Sequence, residues 1–373
     1  VSSEVDNFDD IRPYNDSEVP AAVAEIIADP EFNTAIIQYK FAGLPGFVQR
    51  LIRPLVQWYL QRHWRTLRTV RDVQLAMSGF LNQVMRKTTD GVSFTGLQQL
   101  QPGQSYLFIS NHRDITMDPA LVSWCLNQHG LETCRIAIGD NLLKKPCITA
   151  LMKLNKSFIV RRSAKGPREM LKALSQLSAY ISHSLHSGHH IWIAQREGRA
   201  KDGDDQTDPA ILKMFYMAGK AQGIEFADYM RSLNIVPVSI SYEYDPCDIA
   251  KAKELHQRQV DGNYQKSEFE DIQSIIQGIT GYKGRVHLHF GQVMRDGFNT
   301  PEQLAQLIDQ QIYQGYRVYP VNQLAAGETP DDQTVIEKFS ERMAAVPAPV
   351  QEIIRQMYAN PLRNQRKTIA GDC

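Results

Sequence analysis

Residues 108–122 read FISNHRDITMDPALV, and His112 there has Asp114 two positions downstream and Asp118 six positions downstream. An imidazole of ordinary pKa, ~6.5, accepts a proton near neutral pH. A carboxylate on its other ring nitrogen fixes the tautomer and stabilises the imidazolium, so such a pair can activate a hydroxyl for attack on a carbonyl. The same stretch contains the triplet His112-Arg113-Asp114, in which an aspartate would instead serve a hydroxyl attacking a phosphoryl group. The two readings require different partners elsewhere in the chain.

The phosphoryl reading is that of a protein-kinase catalytic loop. It needs a glycine-rich G-x-G-x-x-G loop upstream, an Asn five residues beyond the Asp, and an Asp-Phe-Gly. Residues 1–111 contain no such glycine pattern, the Asn position is Pro119, and Asp-Phe-Gly occurs nowhere. A three-residue match without its partners does not support kinase chemistry.

The elements that must hold His112 are legible as runs of β-branched and aromatic residues. GVSFTGL, SYLFIS, CRIAIG, SFIVRR, HIWIAQ, IVPVSISYEY and RVHLHFG read as strands, several separated by helix-length segments such as residues 166–185. Strands alternating with helices imply an α/β sheet with helices packed on it. His112 then falls where a buried strand ends, and MDPALVSWCL begins a helix with Asp118 at the cap and Pro119 in the first turn. Residues 20–90 read as helical, and the tail returns to helix with TPDDQTVIEKFSERMAA opening on a Thr/Asp-rich cap. The expected division is an N-terminal helical region over 1–90, a central domain over 91–320 and a helical tail over 321–373.

A chain of 373 residues, 43% hydrophobic and 22% charged, can bury a sizeable core. Its 41 basic residues balance 41 acidic ones, so overall charge gives no reason to expect a nucleic-acid partner. Cys125, Cys134, Cys147, Cys247 and Cys373 are widely spaced without a C-x-x-C pair, which points to reduced thiols and a cytoplasmic setting. His183, His186, His189 and His190 lack a joining cysteine or carboxylate cluster and read as a polar helix end; no metal is expected. No apolar run approaches the ~20 residues that span a bilayer, and the polar N-terminus lacks a signal-peptide core. Residues 47–72, however, place Arg50, Arg53, Arg62, Arg65, Arg68 and Arg71 among Trp58, Tyr59, Trp64 and many leucines. Such a helix suits the headgroup layer of an anionic membrane, which suggests a peripheral association.

The hydroxyl-activating reading predicts further blocks in a fixed order. Asn111-His112 is followed by KSFIVRR (156–162), IWIAQREGRAKDG (191–203) and IVPVSISYE (235–243), then by the closing strand GRVHLHFGQV. With the lead-in GVSFTGLQQLQPGQ, these blocks resemble the glycerol-3-phosphate / 1-acylglycerol-3-phosphate acyltransferase superfamily over about 91–295, and the spacing looks closer to the glycerol-3-phosphate branch. Two departures stand out. Five residues rather than four separate His112 from Asp118, and Arg199 follows Gly198 directly where the family has Glu-Gly-x-Arg.

The resemblance implies the mixed α/β sheet of the glycerolipid acyltransferases, flanked by helices. It implies His112 as general base with Asp118, or failing that Asp114, as its orienting carboxylate. It implies cations for the acceptor's phosphate from Arg161 or Arg162 with Arg199, Lys201 and Arg113, and a place for Glu197-Gly198 beside the acceptor. The expected donor is a fatty acyl thioester of coenzyme A or acyl carrier protein, and the acceptor glycerol-3-phosphate or lysophosphatidate. Transfer would be direct, with no acyl-enzyme and no cofactor.

Overall fold

The computed structural model describes residues 7–41, 43–267 and 270–370. All seven predicted runs form strands: β1 (Gly91–Thr95), β2 (Leu107–Ser110), β3 (Arg135–Gly139), β4 (Ser157–Val160), β5 (Ile191–Ala194), β6 (Ile235–Tyr242) and β7 (Arg285–Phe290). The chain forms two compact units that do not follow chain order. One comprises Val1–Phe80 with Arg135–Gln176, the other Leu81–Cys134 with Leu177–Cys373.

The larger unit contains the sheet that carries His112. Its strands run β1-β7-β6-β2-β5, parallel except for the antiparallel β6–β7 pair, so the sheet is mixed. Central strands covered on both faces read as continuous apolar runs. Accordingly Leu107, Phe108, Ile109, Ile191, Ile235, Val236 and Val238 are all buried. Pro237 sits in this interior one residue before β6 begins to pair with β7 at Val238. Its missing N–H therefore removes no β6–β7 ladder bond.

The C-terminal residues join the same unit. Helices Gln333–Ala344 and Ala348–Ala370 bury Phe339, Met343, Val350, Ile354, Met357 and Tyr358 in one cluster with Tyr244 and Ala252. The predicted cap is present, with Asp332 accepting from Thr334 N at 3.0 Å.

The smaller unit holds the parallel pair β3–β4 and a helical core of Val19, Val23, Ile26, Ile27, Val56, Leu60, Ala150 and Leu154. Residues 47–72, read as one helix, divide between Gly46–Trp64 and Val70–Thr88. At the break, Asp72 accepts from the amides of Arg68 and Thr69 while Thr69 Oγ1 accepts from Asp72 N, a reciprocal box that starts a new helix. Among the described residues no helix is long and apolar enough to cross a membrane.

Candidate active site

The site begins where β2 stops. Asn111, buried, replaces a strand residue with its side chain: Nδ2 donates to Ile240 O at 3.0 Å and Oδ1 accepts from Ile240 N at 2.8 Å. This clamps the end of β2 to β6 and turns the next residue out of the sheet. His112 emerges half-buried, with Trp192 of β5 edge-on to its ring at 5.6 Å.

His112 Nδ1 meets Asp118 Oδ2 at 2.8 Å. The same oxygen accepts from Arg113 N at 2.6 Å and Asp114 N at 2.9 Å, and Oδ1 accepts from the Tyr242 hydroxyl at 2.7 Å. Burial and the adjacent Asp118 charge push the Tyr242 phenol well above its ordinary range, which keeps it a proton donor. Asp118 is thus a fully buried carboxylate with every nearby donor aimed at it. Among the described residues His112 Nε2 has no hydrogen-bond partner, so it is the ring nitrogen left for an incoming group.

Asp114 points elsewhere. Its Oδ1 accepts from Thr116 N at 2.9 Å and Met117 N at 2.8 Å, the start of helix Met117–Gln128. The capping role expected of Asp118 therefore falls to Asp114, four residues earlier, which closes the extra-residue loop on itself. Burial first, then the Asp118 charge, raises the Asp114 pKa. Its Oδ2 lies against Gly278, where an added Cβ would approach it to 2.0 Å, so only glycine leaves it room.

The Glu-Gly-Arg block lies on the adjoining loop. Gln195 N donates to Ser110 O at 2.8 Å and Ala200 N donates to His112 O at 3.1 Å, so the loop after β5 is laced to the His112 loop at both ends. Between these ties, Gly198 has φ +77°, a conformation glycine adopts without strain. Glu197 is exposed and Arg199 half-buried, and among the described residues Arg199 makes no hydrogen bond or ion pair. An unpartnered guanidinium on a loop bonded to the histidine backbone is equipped to bind an anion.

A family model described as Acyltransferase matches residues 91–241, the span that holds His112, Asp118 and this loop. Over these residues the chain is similar to the acyltransferase family. The chain is 26% identical over 228 residues to a glycerol-3-phosphate acyltransferase of Hamiltonella defensa, covering 60% of this chain and 25% of that protein. It is 31% identical over 107 residues to one of Xanthomonas axonopodis, covering 29% of this chain and 12% of that protein. The chain thus spans about a quarter or less of the length of these curated relatives. Among solved structures it is similar to the 1-acyl-sn-glycerophosphate acyltransferase PlsC of Thermotoga maritima, with 14% identity, a TM-score of 0.41, and 79% of this chain and 91% of that chain covered.

Arg113, Lys201 and Arg161, also expected as phosphate ligands, are already paired. Arg113, beside the histidine, turns into the unit and donates to Asp205 Oδ2 at 2.6 Å and Gly203 O at 3.2 Å. Asp205 is fixed in turn by Asn111 and by the Tyr316 hydroxyl. Lys201 pairs with buried Glu254, and burial lowers its pKa despite that partner. Arg113 and Lys201 are thus half-buried and paired with buried carboxylates, where a free phosphate ligand was expected. Arg161 and Arg162 lie in the smaller unit; Arg161 pairs with Asp10, and the Arg162 backbone N–H donates to Asp140 at 3.1 Å. Of the four histidines at the expected polar helix end, His190 is instead buried, its Nδ1 bonded to Tyr106 N at 3.1 Å.

Sequence reasoning missed Tyr242, Asp205 and Lys251. Tyr242 was recoverable: it ends a strand that must lie beside β2 if SYLFIS and IVPVSISYE neighbour one another. Asp205 sits in a polar run, KDGDD, that reads as a solvated turn, and Lys251 reads as one of two lysines on an amphipathic helix.

Proposed function

We propose that this chain transfers a fatty acyl group from a thioester of coenzyme A or acyl carrier protein to the hydroxyl of a glycerol-phosphate acceptor, in phospholipid synthesis at a membrane surface. The observation that carries the reading is the His112 Nδ1–Asp118 bond within residues that match the acyltransferase family, with Nε2 left open. In this scheme the acceptor hydroxyl attacks the thioester carbonyl as Nε2 takes its proton. Asp118 stabilises the imidazolium, the tetrahedral oxyanion collapses, and the departing thiolate receives the proton from Nε2. Arg199 binds the acceptor's phosphate and Glu197 orients a hydroxyl. The names of the curated relatives favour glycerol-3-phosphate as acceptor, with lysophosphatidate the alternative.

Membrane association is proposed from helix Gly46–Trp64. Phe47, Leu51, Leu55 and Trp58 are exposed along one stripe, Leu51 at 74% and Trp58 at 58%, while Val56 and Leu60 face the core. Arg50, Arg53 and Arg62 are exposed on the same helix, the composition expected at an anionic interface. The deciding experiment offers glycerol-3-phosphate and lysophosphatidate in parallel, each with acyl-coenzyme A and acyl carrier protein thioesters. Acyl transfer to either acceptor supports the reading, and no transfer from any donor contradicts it.

A further inference from the structure

Beneath the His112 loop lies a buried cation that this scheme leaves idle. Lys251, on helix Asp248–Asp261, is 2% exposed. Its Nζ donates to the carbonyl oxygen of Arg113 at 2.6 Å and forms an ion pair with Asp245. The Arg113 carbonyl and the Asp114 N–H are opposite ends of one planar peptide unit. That N–H donates at 2.9 Å to Asp118 Oδ2, the oxygen that holds His112 Nδ1. An ammonium on the carbonyl end polarises the unit and strengthens donation from the amide end, because hydrogen bonds in series reinforce one another in a low-dielectric interior.

The C-terminal helices hold Lys251 in register. Asp245 accepts from Cys247 N at 2.8 Å, and its own N–H donates to the Tyr358 hydroxyl oxygen at 2.9 Å. Tyr358 donates at 2.7 Å to Asp248 Oδ2, and Arg342 donates to both oxygens of Asp248 and, at 2.9 Å, to Asp245 O. The contacts therefore form one line: Arg342 and Tyr358, Asp245 and Asp248, Lys251, the Arg113–Asp114 peptide, Asp118, His112.

We propose that Lys251 is a positioning residue for His112, acting through the Arg113–Asp114 peptide on Asp118, and that Tyr358 and Arg342 give the C-terminal helices their part in the reaction by fixing Lys251. The inference rests on His112 serving as the base. The charged and titratable groups around the pair come from several elements: Arg113 and Asp114 on the loop, Tyr242 on β6, Asp245 after it, Lys283 before β7, and Asp205 behind Arg113. Removing the Lys251 charge leaves Asp245 without its cation, which favours imidazolium at position 112. The acidic limb of the kcat profile then moves to higher pH.

The test uses the full chain with Lys251→Met, Lys251→Arg, Tyr358→Phe and the double variant Lys251→Met/Asp245→Asn, which removes both buried charges together. With folding verified by circular dichroism, Lys251→Met and the double variant should lose about 10- to 100-fold in kcat, the effect of one charge-assisted hydrogen bond. The acceptor KM should stay within about twofold, as expected when only transition-state stabilisation is lost. Lys251→Met should also shift the acidic limb upward. Lys251→Arg should recover most of the rate, and Tyr358→Phe should show a smaller loss in kcat alone. A folded double variant with wild-type kcat, or a loss confined to KM, overturns the proposal. The imidazole ¹⁵N shifts of His112 separate this inference from the functional reading. If the wild type transfers no acyl group, that reading fails, while ¹⁵N shifts unchanged by Lys251→Met refute the positioning role independently.

Discussion

Replacing each candidate aspartate by asparagine distinguishes the two carboxylates by what each one holds. At Asp118, Oδ2 accepts from His112, Arg113 N and Asp114 N, while Oδ1 accepts from Tyr242. An asparagine fits by placing its oxygen where Oδ2 stood and its amide toward Tyr242, whose hydroxyl can turn to accept. The loop and the tautomer survive, but the charge facing the imidazolium is gone. Losing that charge at a buried pair should lower kcat by ~10²–10⁴-fold, which is about 2.7–5.4 kcal/mol of transition-state stabilisation at 1.36 kcal/mol per decade. At Asp114 only two backbone amides are accepted, by one oxygen, and asparagine accepts them equally well. Because burial already raises the Asp114 pKa, a neutral substitute disturbs little, and kcat should fall by no more than about fivefold, under ~1 kcal/mol. The assay is transfer of a labelled acyl chain to the acceptor under saturating donor, with folding checked by thermal melting. A larger loss in Asp114→Asn than in Asp118→Asn refutes the assignment.

Arg199→Ala should raise the acceptor KM by about 10- to 100-fold, the loss of a charged hydrogen-bonding partner, with kcat little changed; an unchanged KM removes Arg199 from the phosphate site. His287, buried against Ser93 and Thr95, has its pKa lowered to about 4 from 6.5 by burial first and then by Arg317. The unfolded chain therefore binds the extra proton between these values, so stability falls as pH drops from about 6.5 through 4, by up to ~3 kcal/mol. Chemical denaturation across that window should show the loss in wild type and much less of it in His287→Gln; parallel curves contradict the assignment. For the membrane stripe, Leu51→Glu with Trp58→Glu should abolish sedimentation with anionic vesicles, since each large apolar side chain contributes about 1.5–3 kcal/mol when buried. Retained binding in that variant would assign the stripe another role.

The sheet was legible because its strands are apolar runs bounded by turns, and each of the seven runs became a strand. His112 at a strand end followed from the same pattern. Its partner was ranked only through the family resemblance, Asp118 ahead of Asp114, and the structure puts Asp118 on the ring. Asp114 and Asp118 are both close in sequence, and the choice between them depends on how the loop closes: Asp114 caps the helix, leaving Asp118 to collect the amides. Periodicity also missed the break between Gly46–Trp64 and Val70–Thr88, because it rests on one side-chain box around Asp72 rather than on proline or glycine. Nor could spacing show that Arg113 and Lys201 are consumed by Asp205 and Glu254. Those partners lie 92 and 53 residues away, and an arginine beside a histidine looks the same in sequence whether it faces solvent or core. The grouping of residues 135–176 with 1–80 likewise depends on contacts distant along the chain.

In the proposed reaction His112 removes the acceptor's proton, and the His112→Ala variant probes that step. His112 is half-buried and its side chain bonds Asp118, so the variant should remain folded. Measured with the preferred acceptor and donor, its kcat should fall by ~10²–10⁴-fold while vesicle binding and thermal stability stay near wild type. Acyl transfer at the wild-type rate in that variant contradicts the account.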